Sequence, residues 1–165
     1  MGRGMPKVNK RLCCIGIGII IVSAWLSAFH FQLLLVRGDS MKPTYTNLSL
    51  VVLDKHGRTP ERGDVVVFRR DGIGALIKRA VGLPGDSLTV RGDSLLVNGE
   101  PAAGYEHLGD PGLLEAGVTL GEDEYFVLGD NLAESHDSRF PEVGIVHGAE
   151  ILGKVIPLRE RTNEP

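Results

Sequence analysis

Ala75-Leu76-Ile77-Lys78-Arg79-Ala80-Val81 is a short run of aliphatic residues broken by two bases, and its reading decides the fold. Alternation along an extended chain puts Leu76, Lys78 and Ala80 on one face, which makes the run a strand with a lysine set among apolar neighbours. Further runs of the same kind lie at 48–53, 65–68, 87–90, 94–97, 125–128 and 151–158, separated by Gly, Asp, Asn and Pro. Arg91-Gly92-Asp93 and Asn98-Gly99 are hairpin turns, because Gly and Asn tolerate positive φ. No stretch after residue 40 has a helical period. The expected fold is mainly β: an antiparallel, coiled-sheet or barrel-like domain. Residues 101–124, rich in Gly, Pro and acids, read as an exposed insertion or substrate-side loop.

Ahead of this domain, residues 12–36 carry no formal charge, and as a helix these 25 residues would reach roughly 37 Å, more than the hydrocarbon core of about 30 Å. A cleaved signal peptide has a shorter apolar region, so an uncleaved transmembrane anchor is expected here. Arg3, Lys7, Lys10 and Arg11 make residues 1–11 a basic tail, which the positive-inside rule puts in the cytoplasm. Residues 37–165 then form one extracytoplasmic domain on a single-pass plasma-membrane anchor. Five of the 18 basic residues precede Gly38, leaving 13 bases against 21 acids beyond it. Such an acidic domain excludes nucleic acid as a partner and suits membrane lipid at the basic end. Cys13 and Cys14 both fall inside the apolar segment, so no disulfide staples the domain, and they read as small apolar filler.

Gly38-Asp39-Ser40-Met41-Lys42-Pro43-Thr44 follows the apolar segment directly. A serine hydroxyl is a weak nucleophile until a base removes its proton, and the chain offers few bases. His136 beside Asp137 suggests a Ser-His-Asp arrangement, but adjacent side chains on an extended chain point opposite ways. None of the five histidines has metal-ligand spacing, and no phosphate-cradling glycine loop is present, so neither metal nor cofactor is expected. Desolvation among aliphatic neighbours lowers the pKa of a lysine and makes Lys78 a candidate base, whereas the Arg79 guanidinium does not deprotonate. On these residues alone a lysine that snorkels into water stays open beside it. Arg-Gly-Asp at 37–39, 62–64 and 91–93 is turn chemistry at strand entrances and no adhesion motif.

Four stretches in order carry a resemblance to bacterial type I signal peptidases, of the short single-anchor Gram-positive type. Ser40-Met41-Lys42-Pro43-Thr44 is similar to the nucleophile box and Arg62-Gly63-Asp64-Val65-Val66-Val67-Phe68 to the structural strand box. Lys78 to Asp86 resembles the general-base box, and Gly129-Asp130-Asn131 with Ser135, Asp137, Ser138 and Arg139 the last one. The resemblance covers most of the chain apart from residues 1–11 and about 100–117. It implies a Ser-Lys dyad without histidine, with Ser40 as nucleophile and Lys78 as general base. Ser135 would hydrogen-bond near the lysine amine, Asp137 and Arg139 would pair to hold the last box, and Met41, Pro43 and Thr44 would shape the turn. Many relatives have a hydroxyl where this chain has Gly38, so the oxyanion hole would rest on backbone N–H groups, that of Ser40 first. The implied substrates are signal peptides of exported preproteins, cut after a small-x-small motif beside the export machinery. A dedicated pilin- or conjugation-type maturation peptidase with the same dyad, and a non-catalytic tethered peptide-binding module, are the rival readings.

Overall fold

The computed structural model describes residues 29–156, and every strand pair in it is antiparallel. The chain runs through β1 (Phe31–Leu35), β2 (Leu50–Asp54), β3 (Val65–Arg70), β4 (Gly74–Gly82), β5 (Ser87–Arg91), β6 (Ser94–Val97) and β7 (Glu100–Pro101). It continues through β8 (Val118–Thr119), β9 (Glu124–Leu128), β10 (Val146–His147) and β11 (Ile151–Ile156). Seven strands form the main sheet in the order β1-β2-β11-β3-β4-β9-β10, and β7-β6-β5-β8 form a second, smaller sheet. Besides the helical residues Phe29 and His30 that lead into β1, the helical turns among the described residues are 3-10 turns at Gly112–Ala116 and Gly148–Glu150.

Val65-Val66-Val67-Phe68 in β3 shows why the main sheet needs apolar residues on both faces. Val65 and Val67 pack with Val51, Leu53 and Val155, while Val66 and Phe68 pack with Tyr125, Val127 and Ile151 on the other side. Successive strand side chains point to opposite faces, so a continuous apolar run marks a strand buried on both. The β6–β7 turn is built as its sequence demands. Asn98 and Gly99 both take positive φ, at 54° and 85°, which is what a two-residue hairpin loop of this twist requires.

Two expectations need correction. The uncharged segment does not run as one helix to residue 36, because Phe31–Leu35 is a strand paired with Leu50–Asp54. An uncharged apolar run has no period of its own to tell helix from strand, and here the hydrogen-bonding partner decides. Val36 is buried and Leu34 packs on the same cluster, while Phe31, Leu33 and Leu35 face outward. Residues 1–28, on which the basic tail and the rest of the expected anchor fall, lie outside the described residues; among those described, no helix is long and apolar enough to cross a membrane. Residues 101–124 are exposed at most positions but are more than a loose insertion, because a few of their side chains anchor the segment in the core. Leu108, Leu114 and Leu120 are buried in one core cluster with Leu88, Leu95 and Phe126, and Val118–Thr119 extends the small sheet beside β5. Leu108, Leu114 and Leu120 recur every six residues, an interval too long to mark out a helix or a strand by itself.

Candidate active site

Ser40 sits in the turn between β1 and β2, and the turn is tied down on every side. Met41 is buried under it in the core cluster of Val36, Val51 and Val67. Lys42 pairs with Asp39 at 3.0 Å, and the Tyr45 N–H donates to the Met41 carbonyl at 2.8 Å. From far along the chain, the Asn131 N–H donates to the Ser40 carbonyl at 3.0 Å and the Asn131 side-chain amide to the Asp39 carbonyl at 3.2 Å. Gly38 takes φ +88°, a conformation that favours glycine, and its N–H is used by Asn47 Oδ1 at 3.0 Å. No acceptor among the described residues takes the Ser40 N–H.

Lys78 lies opposite Val66 in the β3–β4 ladder and is only 3% exposed. Its Nζ stands 2.7 Å from Ser40 Oγ. Burial disfavours the ammonium and pulls the pKa of Lys78 down to about 8, against the carboxylates of Asp137 and Asp130, which favour the charged form. A lysine in that range is neutral often enough near neutral pH to accept a proton. The pair opens onto a cleft of ≈ 240 Å³ whose walls include Leu34 and Val36 on one side and Ala75 and Ile77 on the other, over Val51 and Val67. Leu34 and Val36 are invisible as wall residues to a reading that places 31–36 in an anchor.

Ser135 is buried, but its Oγ has no hydrogen-bond partner among the described residues, so the bond to the lysine amine is not formed. Gly129 holds the packing at this point: a Cβ there would stand 2.2 Å from Ser135 Oγ and 2.5 Å from the Ser40 carbonyl oxygen, distances no side chain can occupy. Because Ser135 Oγ makes no bond to lose, Ser135→Ala is expected to change unfolding stability by less than about 1 kcal/mol. A urea midpoint corresponding to a loss above about 2 kcal/mol would show that the hydroxyl is bonded in solution.

Asp137 and Arg139 form a buried two-point pair, with Arg139 Nε donating to Asp137 Oδ1 at 2.9 Å and an Arg139 terminal nitrogen to Oδ2 at 3.1 Å. His136 is not part of the site. It stacks on Phe140 at 4.9 Å between ring centroids and approaches Glu142, so no Ser-His-Asp arrangement exists. One pair escaped the sequence reading. Arg79, next to the lysine but pointing the other way, bonds both oxygens of Asp130 at 2.7 and 2.5 Å and the Gly63 carbonyl at 2.7 Å. The Thr44 hydroxyl donates to the same carboxylate at 2.5 Å. This joins the nucleophile turn, β4 and the turn after β9. The available signal was the position of Asp130 directly after Gly129, but an acid in a glycine turn has many ordinary uses.

Comparisons with known proteins point to one family. A family model described as "Signal peptidase, peptidase S26" matches residues 10–158. The protein named signal peptidase I S of Bacillus subtilis is 35% identical over 137 residues, covering 73% of this chain and 72% of the relative. Probable signal peptidase I-2 of Synechocystis sp. is 32% identical over 146 residues, covering 82% and 66% respectively. A crystal structure of a signal peptidase I from Enterococcus faecalis superposes with a TM-score of 0.45 at 30% identity, over 59% of this chain and 97% of that one.

Proposed function

We propose a function from one premise: the chain belongs to the signal peptidase family, peptidase S26. It is a membrane-bound serine endopeptidase that removes signal peptides from exported preproteins after a small-x-small motif. The observation that carries this is the 2.7 Å approach of a buried, pKa-lowered Lys78 to Ser40 Oγ at the floor of an apolar cleft.

Substrate enters as an extended strand. Gly74 to Lys78 of β4 pair only with β3, since β9 takes only Arg79, Ala80 and Gly82, and β1 pairs only with β2. Two unpaired backbone edges thus border the cleft, and a peptide laid between them gains main-chain hydrogen bonds on either side. The aliphatic walls admit small side chains. Neutral Lys78 takes the Ser40 proton as Oγ attacks the carbonyl carbon after the small residue. The oxyanion receives the unused Ser40 N–H, which stands in for the hydroxyl that Gly38 lacks. Lys78 then passes its proton to the leaving amine, giving the acyl-enzyme. Water, deprotonated by the same lysine, releases the acyl group, and the proton returns to Ser40 Oγ.

The membrane reading has support in the sheet. Phe31, Leu33 and Leu35 stand outward on β1, with Leu33 64% exposed, and the ladder continues them through Leu50, Val52 and the outward Ile156 of β11. This apolar face includes the end of the uncharged segment, and it fits a lipid surface that holds the cleft at the depth where signal peptides end. The N-terminus is cytoplasmic and the domain extracytoplasmic.

Cleavage of a preprotein in detergent, with mass-spectrometric detection of an acyl adduct on Ser40, tests the function; a noncovalent complex that releases intact preprotein would overturn it. The pH dependence follows from the lysine. Only its neutral form acts, so kcat/KM is expected to rise with pH, about tenfold per unit, and to level off near 8. A profile flat between pH 6 and about 8 would remove Lys78 as the base.

A further inference from the structure

The cleft at Ser40 does not end with its apolar walls. Leu34, Val67 and Ala75 line both it and a second hollow, so the two make one groove. The far end of that groove is rimmed by Lys55, Arg58 and Arg69. Arg69 lies opposite Ala75 in the β3–β4 ladder, three residues from Lys78 along β4, or roughly 10 Å. Among the described residues no carboxylate lies within 4.0 Å of these three cations, whereas the neighbouring Arg70 turns to the other face and pairs with Glu150 at 2.9 Å. Three cations without a carboxylate partner among the described residues, Arg58 Nε donating to the Lys55 carbonyl at 3.3 Å, form a local positive end in a domain with 13 bases and 21 acids.

The occupant of that end follows from where it lies. The Lys55 N–H donates to the His30 carbonyl at 2.8 Å, so the cationic end adjoins the point where the uncharged N-terminal segment reaches the domain. A signal peptide arrives from the same side, and its residues ahead of the scissile bond run from the cationic end to Ser40. In an extended peptide the first, third and fifth of those residues share a face, and the fifth stands roughly 13 Å from the first. The first and third are the small residues of the motif. The fifth reaches Arg69 and the rim.

We propose that Lys55, Arg58 and Arg69 form a subsite that selects an acidic side chain at the fifth position ahead of the scissile bond. This rests on the signal-peptide reading above. The charges act on binding and not on the chemical step, because they lie far from the reacting atoms. Exposed pairs are individually weak, but replacing attraction to three cations by repulsion spans about tenfold in KM.

Peptide substrates with Glu, Gln or Lys at the fifth position, assayed with the full chain in nonionic detergent free of anionic lipid, test the subsite. KM is expected to be about tenfold lower for Glu than for Lys, with kcat within about twofold, and the gap should shrink as salt is raised. Arg58→Glu and Arg69→Glu should each narrow or reverse the order, whereas His136→Ala, outside the groove, should keep it. Equal KM for Glu and Lys, or a preference untouched by either variant, overturns the subsite. A charge effect that emerges only on anionic vesicles assigns the cluster to lipid phosphate and overturns it as well. If the parent enzyme cleaves none of the peptides, including Gln, the signal-peptide reading itself falls and the subsite with it.

Discussion

Lys78→Met is expected to lower kcat/KM for preprotein cleavage by about 10³-fold or more, while leaving the protein at least as stable as the parent near pH 7. Activity falls because Ser40 loses the only base within reach: Nζ is 2.7 Å from Oγ, and His136 is turned toward Phe140 and Glu142. The stability half follows from the lowered pKa. Between about 8 in the folded chain and 10.5 in the unfolded one, the unfolded state holds a proton that the folded state has released. Stability therefore rises with pH across that window, and below it the fold carries the full cost of a buried ammonium. Replacing the lysine by an unbranched apolar side chain of similar length removes that cost, on the order of 1–3 kcal/mol at pH 7, and the gain should fade toward pH 10. Preprotein cleavage and urea unfolding at the two pH values check both halves. A variant that is inactive and also markedly less stable would mean that Lys78 is a structural lysine. His136→Ala is the control and should cleave normally.

The parts of this site legible in the sequence were those where chemistry restricts the residue type. Lys78 stood among aliphatic neighbours on a strand whose alternation is short and clean, and the turn at Asn98-Gly99 announced itself through positive φ. What stayed hidden depends on partners far away in the chain. Residues 31–35 look the same as lipid-spanning residues because both are uncharged and apolar, and only pairing with 50–54 makes them a strand. With them went the cleft walls Leu34 and Val36. The 101–124 segment misled for a related reason. Its three buried leucines are separated by Gly, Pro and acids that occupy turns, so composition reported the turns and missed the anchoring side chains. Arg79 was set aside because it cannot be a base, which is true and did not bear on its bonds to Asp130.

Arg139→Met is expected to destabilise the fold by about 3–5 kcal/mol. Asp137 is 0% and Arg139 2% exposed, so removing the guanidinium leaves a carboxylate in the interior without its counter-charge. More than the pair is lost. Arg139 also donates to the carbonyls of Leu108 and Leu132, each at 2.8 Å, and so joins the segment that packs under the small sheet to the turn carrying Ser135. Asp137 in turn accepts the Gly129 N–H at 3.1 Å, beside the Ser40 carbonyl. Adding Asp137→Asn to Arg139→Met removes the stranded charge, so the double variant should lose less than the sum of the two singles, a coupling that a double-mutant cycle in urea reads directly. Simple additivity would show that the two side chains do not interact in solution. The same carboxylate reaches the chemistry. Asp137 favours the ammonium of Lys78, so its neutralisation in Asp137→Asn should lower the lysine pKa below about 8. Measured where the variant is folded, the rising limb of kcat/KM should then move to lower pH, a displacement that loss of folded protein alone cannot produce.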